Sequence, residues 1–181
     1  MSDDATSVSL IEWRVLMNNT NNIWQIVLRL LARRDYSQQE IKQKLYAKGH
    51  EQQEVEKIID DLVKAGMINN KRFTENYIHW RSGKGYGPKR IYVELQARGI
   101  PDETIAEHLN ITDNAWFNKA HQLWLKHFKG KQPANFKERI KQLRFLQYRG
   151  FTQEQIVNVV KETTSSEEEN ETRIEYSDSC C

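Results

Sequence analysis

The sequence predicts an all-α protein: an elongated, curved array of three tandem three-helix repeats, the last of them degenerate. Three observations carry this prediction. The first is a pattern stated three times. Leu45 leads to Lys48-Gly49 and then Val55 and Ile59; Leu95 leads to Arg98-Gly99, Ile105 and Leu109; Leu146 leads to Arg149-Gly150, Ile156 and Val160. The second is that the marker glycines Gly49, Gly99 and Gly150 stand 50 and 51 residues apart, a period typical of repeat proteins. The third is that apolar residues recur at helical spacing between helix start and stop signals. Units of this size hold only a marginal core alone, so neighbours have to share apolar surface.

Residues 1–22 are polar and Asn-rich and read as a flexible extension, with Met17 a candidate native start. Ile23 to Arg34 reads as a helix with Ile23, Ile26, Val27, Leu30 and Leu31 on one face. Ser37 and Glu40 form a capping box, Tyr36 is placed to staple onto Ile41, and Gly49 suits a left-handed helix end. A helix over about 52–65 buries Val55, Ile58, Ile59 and Leu62 and ends at Gly66. A third starts after Asn69-Asn70 and carries Phe73, Tyr77 and Trp80 on one face.

The second repeat copies the first. Tyr86 precedes Gly99 as Tyr36 precedes Gly49 and is placed to staple onto Ile91. Gly87 takes the N-cap slot and Pro88 the first helical position, where its missing N–H costs nothing. Asp102 and Glu103 after Pro101 suit the positive end of the next helix. Trp116, Phe117, Ala120, Leu123 and Trp124 give the apolar face of a helix over about 113–129. In the third repeat Gln142 stands where Ile41 and Ile91 stood, and Phe136 is one position out of register with Tyr36 and Tyr86. Thr152 and Gln155 form another capping box, before Ile156, Val159 and Val160, and no third apolar helix follows. The implied division is extension 1–22, leading helix plus first repeat 23–85, second repeat 86–130, truncated third repeat 131–162 and acidic tail 163–181.

Net charge is +2 at pH 7, but its distribution is uneven. Residues 163–181 hold six acids against Arg173, a net of −5, and residues 1–162 carry +7. A basic body with an acidic tail is typical of proteins that meet phosphate or an acidic partner, although a solvated surface gives the same balance. Hydrophobic residues make up 38% and mean hydropathy is −0.79, which suits a thin, solvent-rich shape. No apolar run is long enough to span a membrane, and no secretory pattern opens the chain. Both cysteines, Cys180 and Cys181, end the tail, so no disulfide framework staples the body and a reducing cytoplasm is expected. That Cys-Cys end reads as adventitious rather than as a prenylation signal.

Little in the chain points to catalysis. His50, His79, His108, His121 and His127 form no i, i+4 pair and have no cysteine at metal spacing. His108 replaces Ile58 and Val159 of the sister repeats and reads as a packed or rim histidine. Asp60 and Asp61 point to different sides of a helix. No nucleophile elbow, P-loop or zinc signature appears, so neither enzyme activity nor a metal or cofactor is expected. Ser82-Gly83-Lys84-Gly85-Tyr86-Gly87-Pro88 reads as a helix-to-helix turn rather than a phosphate cradle, since it lacks Walker spacing and follows no strand. Around it Lys71, Arg72, Arg81, Lys84, Lys89, Arg90 and Arg98 oppose only Glu75 and Glu94, the most basic stretch of the chain. Lys48, Arg98 and Arg149 each precede a marker glycine. Two readings of them stand open: cations stabilising helix ends, or a row of evenly spaced binding charges.

Four stretches together resemble the RecX family of bacterial recombination regulators: residues 32–40 around Arg33-Arg34-Asp35-Tyr36-Ser37, Asn69-Asn70-Lys71-Arg72-Phe73, Lys84-Gly85-Tyr86-Gly87-Pro88-Lys89-Arg90-Ile91, and residues 144–151 ending Arg149-Gly150-Phe151. The resemblance runs from Ile23 to Val160. It implies a curved array of three-helix repeats that binds RecA, lodging in the groove of the RecA filament on single-stranded DNA. It further implies suppression of ATPase, strand exchange and filament extension, by blocked growth or promoted disassembly, with a place in DNA repair, recombination and the SOS response. A cytoplasmic monomer without cofactor is expected.

On that reading Arg81, Lys84, Lys89, Arg90 and Arg98, with Lys71, Arg72 and Arg149, are the predicted contacts to RecA and to DNA. Gly49, Gly99, Gly150, Tyr86, Gly87 and Pro88 are the structural motif. The competing expectation is a helical protein that binds DNA without RecA, with Asn70-Lys71-Arg72 as the nearest approach to a base-reading helix start.

Overall fold

The computed structural model describes residues 22–159. The expectations for the N-terminal extension and Met17, for Val160, for the acidic tail and for Cys180-Cys181 lie outside these residues. Among the described residues there are nine helices and no strand. They are α1 (22–31), α2 (Gln38–Tyr46), α3 (Gln52–Lys64), α4 (Asn70–Gly83), α5 (Pro88–Gln96), α6 (Asp102–His108), α7 (Ala115–Phe128), α8 (Phe136–Arg149) and α9 (153–159). They fall into two compact units. One runs through Phe73 and includes Arg98–Ile100; the other holds Thr74–Ala97 and the chain from Pro101 on.

The first unit is organised by α1, α2 and α3. Ile23, Val27, Tyr36, Ile41, Leu45, Val55, Ile58, Ile59, Leu62 and Ile68 form its core, and Ile26, Leu30 and Leu31 pack against them half-buried. The predicted capping box is present: Ser37 Oγ accepts from the Glu40 N–H at 3.1 Å, and Glu40 accepts from the Ser37 N–H at 3.3 Å. The leading helix stops at residue 31 rather than at Arg34. There the ladder tightens, with Arg33 N–H bonded to Leu30 O, and Arg34 turns back to bond Glu40 and cover the Tyr36 ring.

Trp80 departs from the sequence expectation. Phe73 and Tyr77 are buried, but Trp80 is 53% exposed. The buried stripe of α4 runs through Thr74, Tyr77 and Ser82, which leaves Trp80 at its edge.

In the second unit Ile91, Leu95, Ile105, Leu109, Trp116, Ala120, Trp124, Leu146, Phe151, Ile156 and Val159 are buried. Phe117 and Leu123 are half-buried on the same face of α7. Gln142 occupies an apolar position because Trp124 needs a partner: the indole N–H donates to Gln142 Oε1 at 2.8 Å, and Gln142 Nε2 donates to Lys131 O at 3.1 Å. A buried amide satisfied at both ends is tolerated where a single-ended one is costly. The Thr152–Gln155 capping box forms, and Gln155 Nε2 also donates to Ile111 O at 2.8 Å. Phe136, out of register in the sequence, opens α8 with its side chain largely exposed.

The marker glycines do more than end helices. In the first unit Ser37 Oγ donates to Arg98 O at 2.6 Å, and a Cβ on Gly99 would lie 2.4 Å from Gln39 Cβ. In the second, the Gly87 N–H donates to Arg149 O at 2.9 Å and the Lys89 N–H to Gly150 O at 3.0 Å. A Cβ on Gly150 would lie 2.4 Å from Arg90 Cβ. Each joint sets the start of one marker helix on the basic-glycine turn of the next repeat. At Gly49 the space a Cβ would fill is open. All three glycines have positive φ (84°, 71° and 91°), which side chains rarely adopt.

Candidate partner-binding surface

The joint at Gly87 and Gly150 assembles a cationic and aromatic surface in the second unit. Gly87 caps α5 with Pro88 behind it, so the chain enters the helix at a fixed angle and Tyr86 stands just outside. Three guanidinium groups meet the Tyr86 ring. Arg81 lies 3.6 Å from its centroid, Arg90 4.6 Å and Arg149 5.2 Å. They come from α4, α5 and α8. Such contacts stabilise by about 0.5–1 kcal/mol when exposed and more when desolvated. Tyr86 is therefore half-buried under three arginines, whereas its repeat counterpart Tyr36 is buried in the core of the first unit with one arginine, Arg34, over its ring at 3.7 Å.

The alternation of ring and cation continues outward. Arg81 lies 5.3 Å from the Trp80 ring, Arg90 5.7 Å from Tyr148 and Arg149 5.3 Å from Phe145. Phe145 in turn stacks on His127 with centroids 4.0 Å apart. Trp80 and Tyr148 end the array in solvent; Tyr148 is 80% exposed.

Glu94 fixes two of the three arginines. Arg81 Nη2 pairs with Glu94 Oε1, and Arg81 Nε donates to Oε2 at 2.6 Å. Arg90 Nε donates to Oε1 at 3.1 Å and the Tyr77 hydroxyl to Oε2 at 2.8 Å. Burial pushes the Glu94 carboxyl pKa up. The bonds from Arg81, Tyr77 and Arg90, with the Arg81 charge, outweigh it and hold the group below its ordinary value. Burial likewise works against the charge on Arg81, and Glu94 more than restores it.

The predicted contact residues thus separate. Arg81, Arg90 and Arg149 converge on Tyr86. Lys84 and Lys89 are exposed on the same unit, with no ion pair among the described residues; only their backbones are engaged, Lys84 O by Arg149 at 3.4 Å and Lys89 N–H by Gly150 O. Lys71, Arg72 and Arg98 lie in the first unit. Arg72 Nη2 bonds Met67 O at 3.1 Å, and Arg98 Nε meets Glu40 at 3.5 Å. Of the cations before marker glycines, Lys48 is exposed, whereas Arg98 and Arg149 are engaged locally.

Sequence reasoning missed Glu94 as an organiser, although its place four residues after Arg90 was the available signal. It also missed Tyr148 and Trp80, for which exposure is the only mark. His108 sits at a rim, its Nδ1 3.3 Å from Glu75. No group of three metal-ligating side chains occurs among the described residues, and no described helix is long and apolar enough to cross a membrane.

Fold and surface together define a tandem three-helix repeat protein with a basic, aromatic-laced face. Family models for the first, second and third three-helix domains of RecX match residues 24–62, 69–109 and 115–160. The regulatory protein RecX of Legionella pneumophila (strain Corby) is 40% identical over 139 residues, 77% of this chain and 93% of that protein. That of Pseudomonas putida (strain GB-1) is 36% identical over 134 residues, 74% and 86% of the two chains. The crystal structure of RecX from Lactobacillus salivarius shares the fold, with a TM-score of 0.70 at 20% identity, covering 82% of this chain and 98% of that one. The chain belongs to the RecX family. In the family's phasing each domain is three helices with the marker helix in the middle: α1–α3, α4–α6 and α7–α9.

Proposed function

We propose that this chain is an inhibitor of RecA, without chemistry of its own, that binds the RecA filament on single-stranded DNA and suppresses its ATPase, strand exchange and extension. Family membership and relatives named as regulatory proteins support the class. The observation that carries the surface assignment is the convergence of Arg81, Arg90 and Arg149 on Tyr86, with Lys84 and Lys89 exposed on the same unit. The guanidiniums are held by Glu94 and the ring, so they meet a partner with little ordering cost. A nucleoprotein filament offers phosphate and acidic protein surface, and exposed lysines attract both over a Debye length. Arg98 and Arg72 are bonded within the first unit, and with Lys71 they contribute charge there.

The reading as a DNA-binding protein independent of RecA is weakened at two of its base-reading candidates, Asn70 and Arg72, since the Arg72 guanidinium bonds Met67 O at 3.1 Å. Asn69 Oδ1 accepts from the Lys71 and Arg72 N–H groups at 2.8 and 3.1 Å, and Asn70 Oδ1 accepts from the Gln38 N–H at 3.2 Å. Side chains occupied in capping a helix do not read base edges.

The test is the single-stranded-DNA-dependent ATPase of the cognate RecA, titrated with this protein. Inhibition at substoichiometric amounts is the expected result. Unchanged ATPase beside direct, salt-sensitive DNA binding would replace the proposal with the DNA-binding reading.

A further inference from the structure

The turn after α4 faces the middle of α7. With the end of α4 they line a cavity of about 370 Å³, to which α4 contributes Ser82 and Gly83, the turn Lys84, and α7 Lys119, Gln122 and Lys126. No carboxylate lines it. Lys119 Nζ donates to Ser82 Oγ at 2.9 Å and lies 5.1 Å from the Trp116 ring centroid, which fixes its position. Lys84 and Lys126 are exposed and have no ion pair among the described residues. Gly83 leaves the floor open, since nothing lies within 4 Å of where its Cβ would stand. Gly85, with φ of 77°, lets Leu123 come so close that a Cβ there would lie 2.9 Å from Leu123 Cδ1, and this draws the turn onto α7.

A competing explanation is that the lysines balance the negative end of α4. That end amounts to roughly half an elementary charge. Its last carbonyls are moreover already engaged: Trp80 O and Arg81 O by the Lys84 N–H, Arg81 O also by the Tyr86 N–H, and Ser82 O by the Gly85 N–H. Three ammonium groups leave a clear positive excess in a concave site.

We propose that this cavity is a binding site for phosphate groups. Lysine binds phosphate as a point charge without demanding planar geometry. The volume, within the range of small-ligand sites, admits linked phosphates rather than one alone. The Ser82–Gly85 stretch remains the helix-to-helix turn its sequence indicates, and it adds Lys84 to two lysines of another helix rather than forming a Walker loop. The site adjoins the Tyr86 surface and shares Lys84 with it, while Lys119 and Lys126 belong to the cavity alone, and binding there does not require RecA. Its phosphates come either from a free nucleotide or from the backbone of a single strand.

Calorimetric titration of the full chain with pyrophosphate at low salt tests the site without RecA. Saturable binding is expected, weakened by about tenfold for each lysine removed in Lys84→Ala and Lys126→Ala, and unchanged in Lys64→Ala. Competition by oligothymidylate would identify a strand backbone as the source, and competition by ADP alone a free nucleotide. Sulfate or polyglutamate binding as tightly as pyrophosphate, or a double variant that binds like the parent, would overturn the proposal.

Discussion

Gly87 and Gly150 are packed backbone to backbone: a Cβ on Gly87 would stand 2.5 Å from the carbonyl carbon and oxygen of Gly150. Two main-chain hydrogen bonds, Gly87 N–H to Arg149 O and Lys89 N–H to Gly150 O, close the joint. Because Arg149 and Tyr86 flank these glycines, the same contact that joins the marker helices brings the third arginine to the ring. Repeat architecture and candidate surface are in this sense one feature.

The three marker glycines should therefore respond unequally to substitution. Gly49→Ala meets only the left-handed backbone penalty, about 1–2 kcal/mol, because its surroundings are open. Gly99→Ala and Gly150→Ala add close contacts to Gln39 and to the Arg90 backbone, for about 1–3 kcal/mol more. Urea unfolding of the three variants checks the ranking; equal losses would refute the joint.

Glu94→Gln should destabilise the second unit by about 1.5–3 kcal/mol at neutral pH, by weakening charge-assisted bonds to Arg81 and Arg90. The pH dependence has a definite sign. The folded carboxyl pKa is depressed, so its contribution is fully present above the unfolded value of about 4.3 and fades as pH falls through the folded one. Unfolding free energy measured from neutral to acid pH should fall less steeply in Glu94→Gln than in the parent chain.

How much of this was legible in the sequence depends on range. The Ser37–Glu40 and Thr152–Gln155 boxes and the Gly87-Pro88 start are local, formed by residues three apart or adjacent, and all appear as read. Gln142 stands out in the sequence as a break in the apolar pattern, but its reason is not local, since Trp124 and Lys131 arrive from elsewhere. Spacing alone places Trp80 inward, whereas the packing of α4 sets its buried stripe around Thr74 and Tyr77. Tyr86 reads as a staple in the sequence because Ile91 is near it in the pattern, whereas Arg149 reaches it only through the return of α8. Charge counting found the basic stretch but not that Glu94 holds two of its arginines.

Gln142→Leu offers a direct check of the buried polar pair. The substitution adds apolar surface yet strips the Trp124 N–H and Lys131 O of their partner. A loss of about 1–3 kcal/mol is expected in chemical denaturation. A gain in stability would mean that water or a shifted neighbour satisfies the indole.

Tyr86→Phe and Tyr86→Ala separate ring from hydroxyl. The arginines meet the face of the ring, so phenylalanine should retain inhibition of RecA within about twofold, while alanine should weaken it by about tenfold, the equivalent of two modest cation–π contacts. Comparable loss in both variants would assign the effect to the hydroxyl and detach it from the arginine stack.

The measurement that tests the central claim most directly is inhibition of the RecA ATPase by the double charge reversal Lys84→Glu/Lys89→Glu, with folding verified by circular dichroism. Both side chains are exposed and hold no ion pair among the described residues, so the variant alters the surface and spares the core. Inhibition lost at moderate salt, with an unchanged unfolding midpoint, is the predicted result. A folded double variant that inhibits RecA as well as the parent chain would contradict the assignment of the contact to this surface.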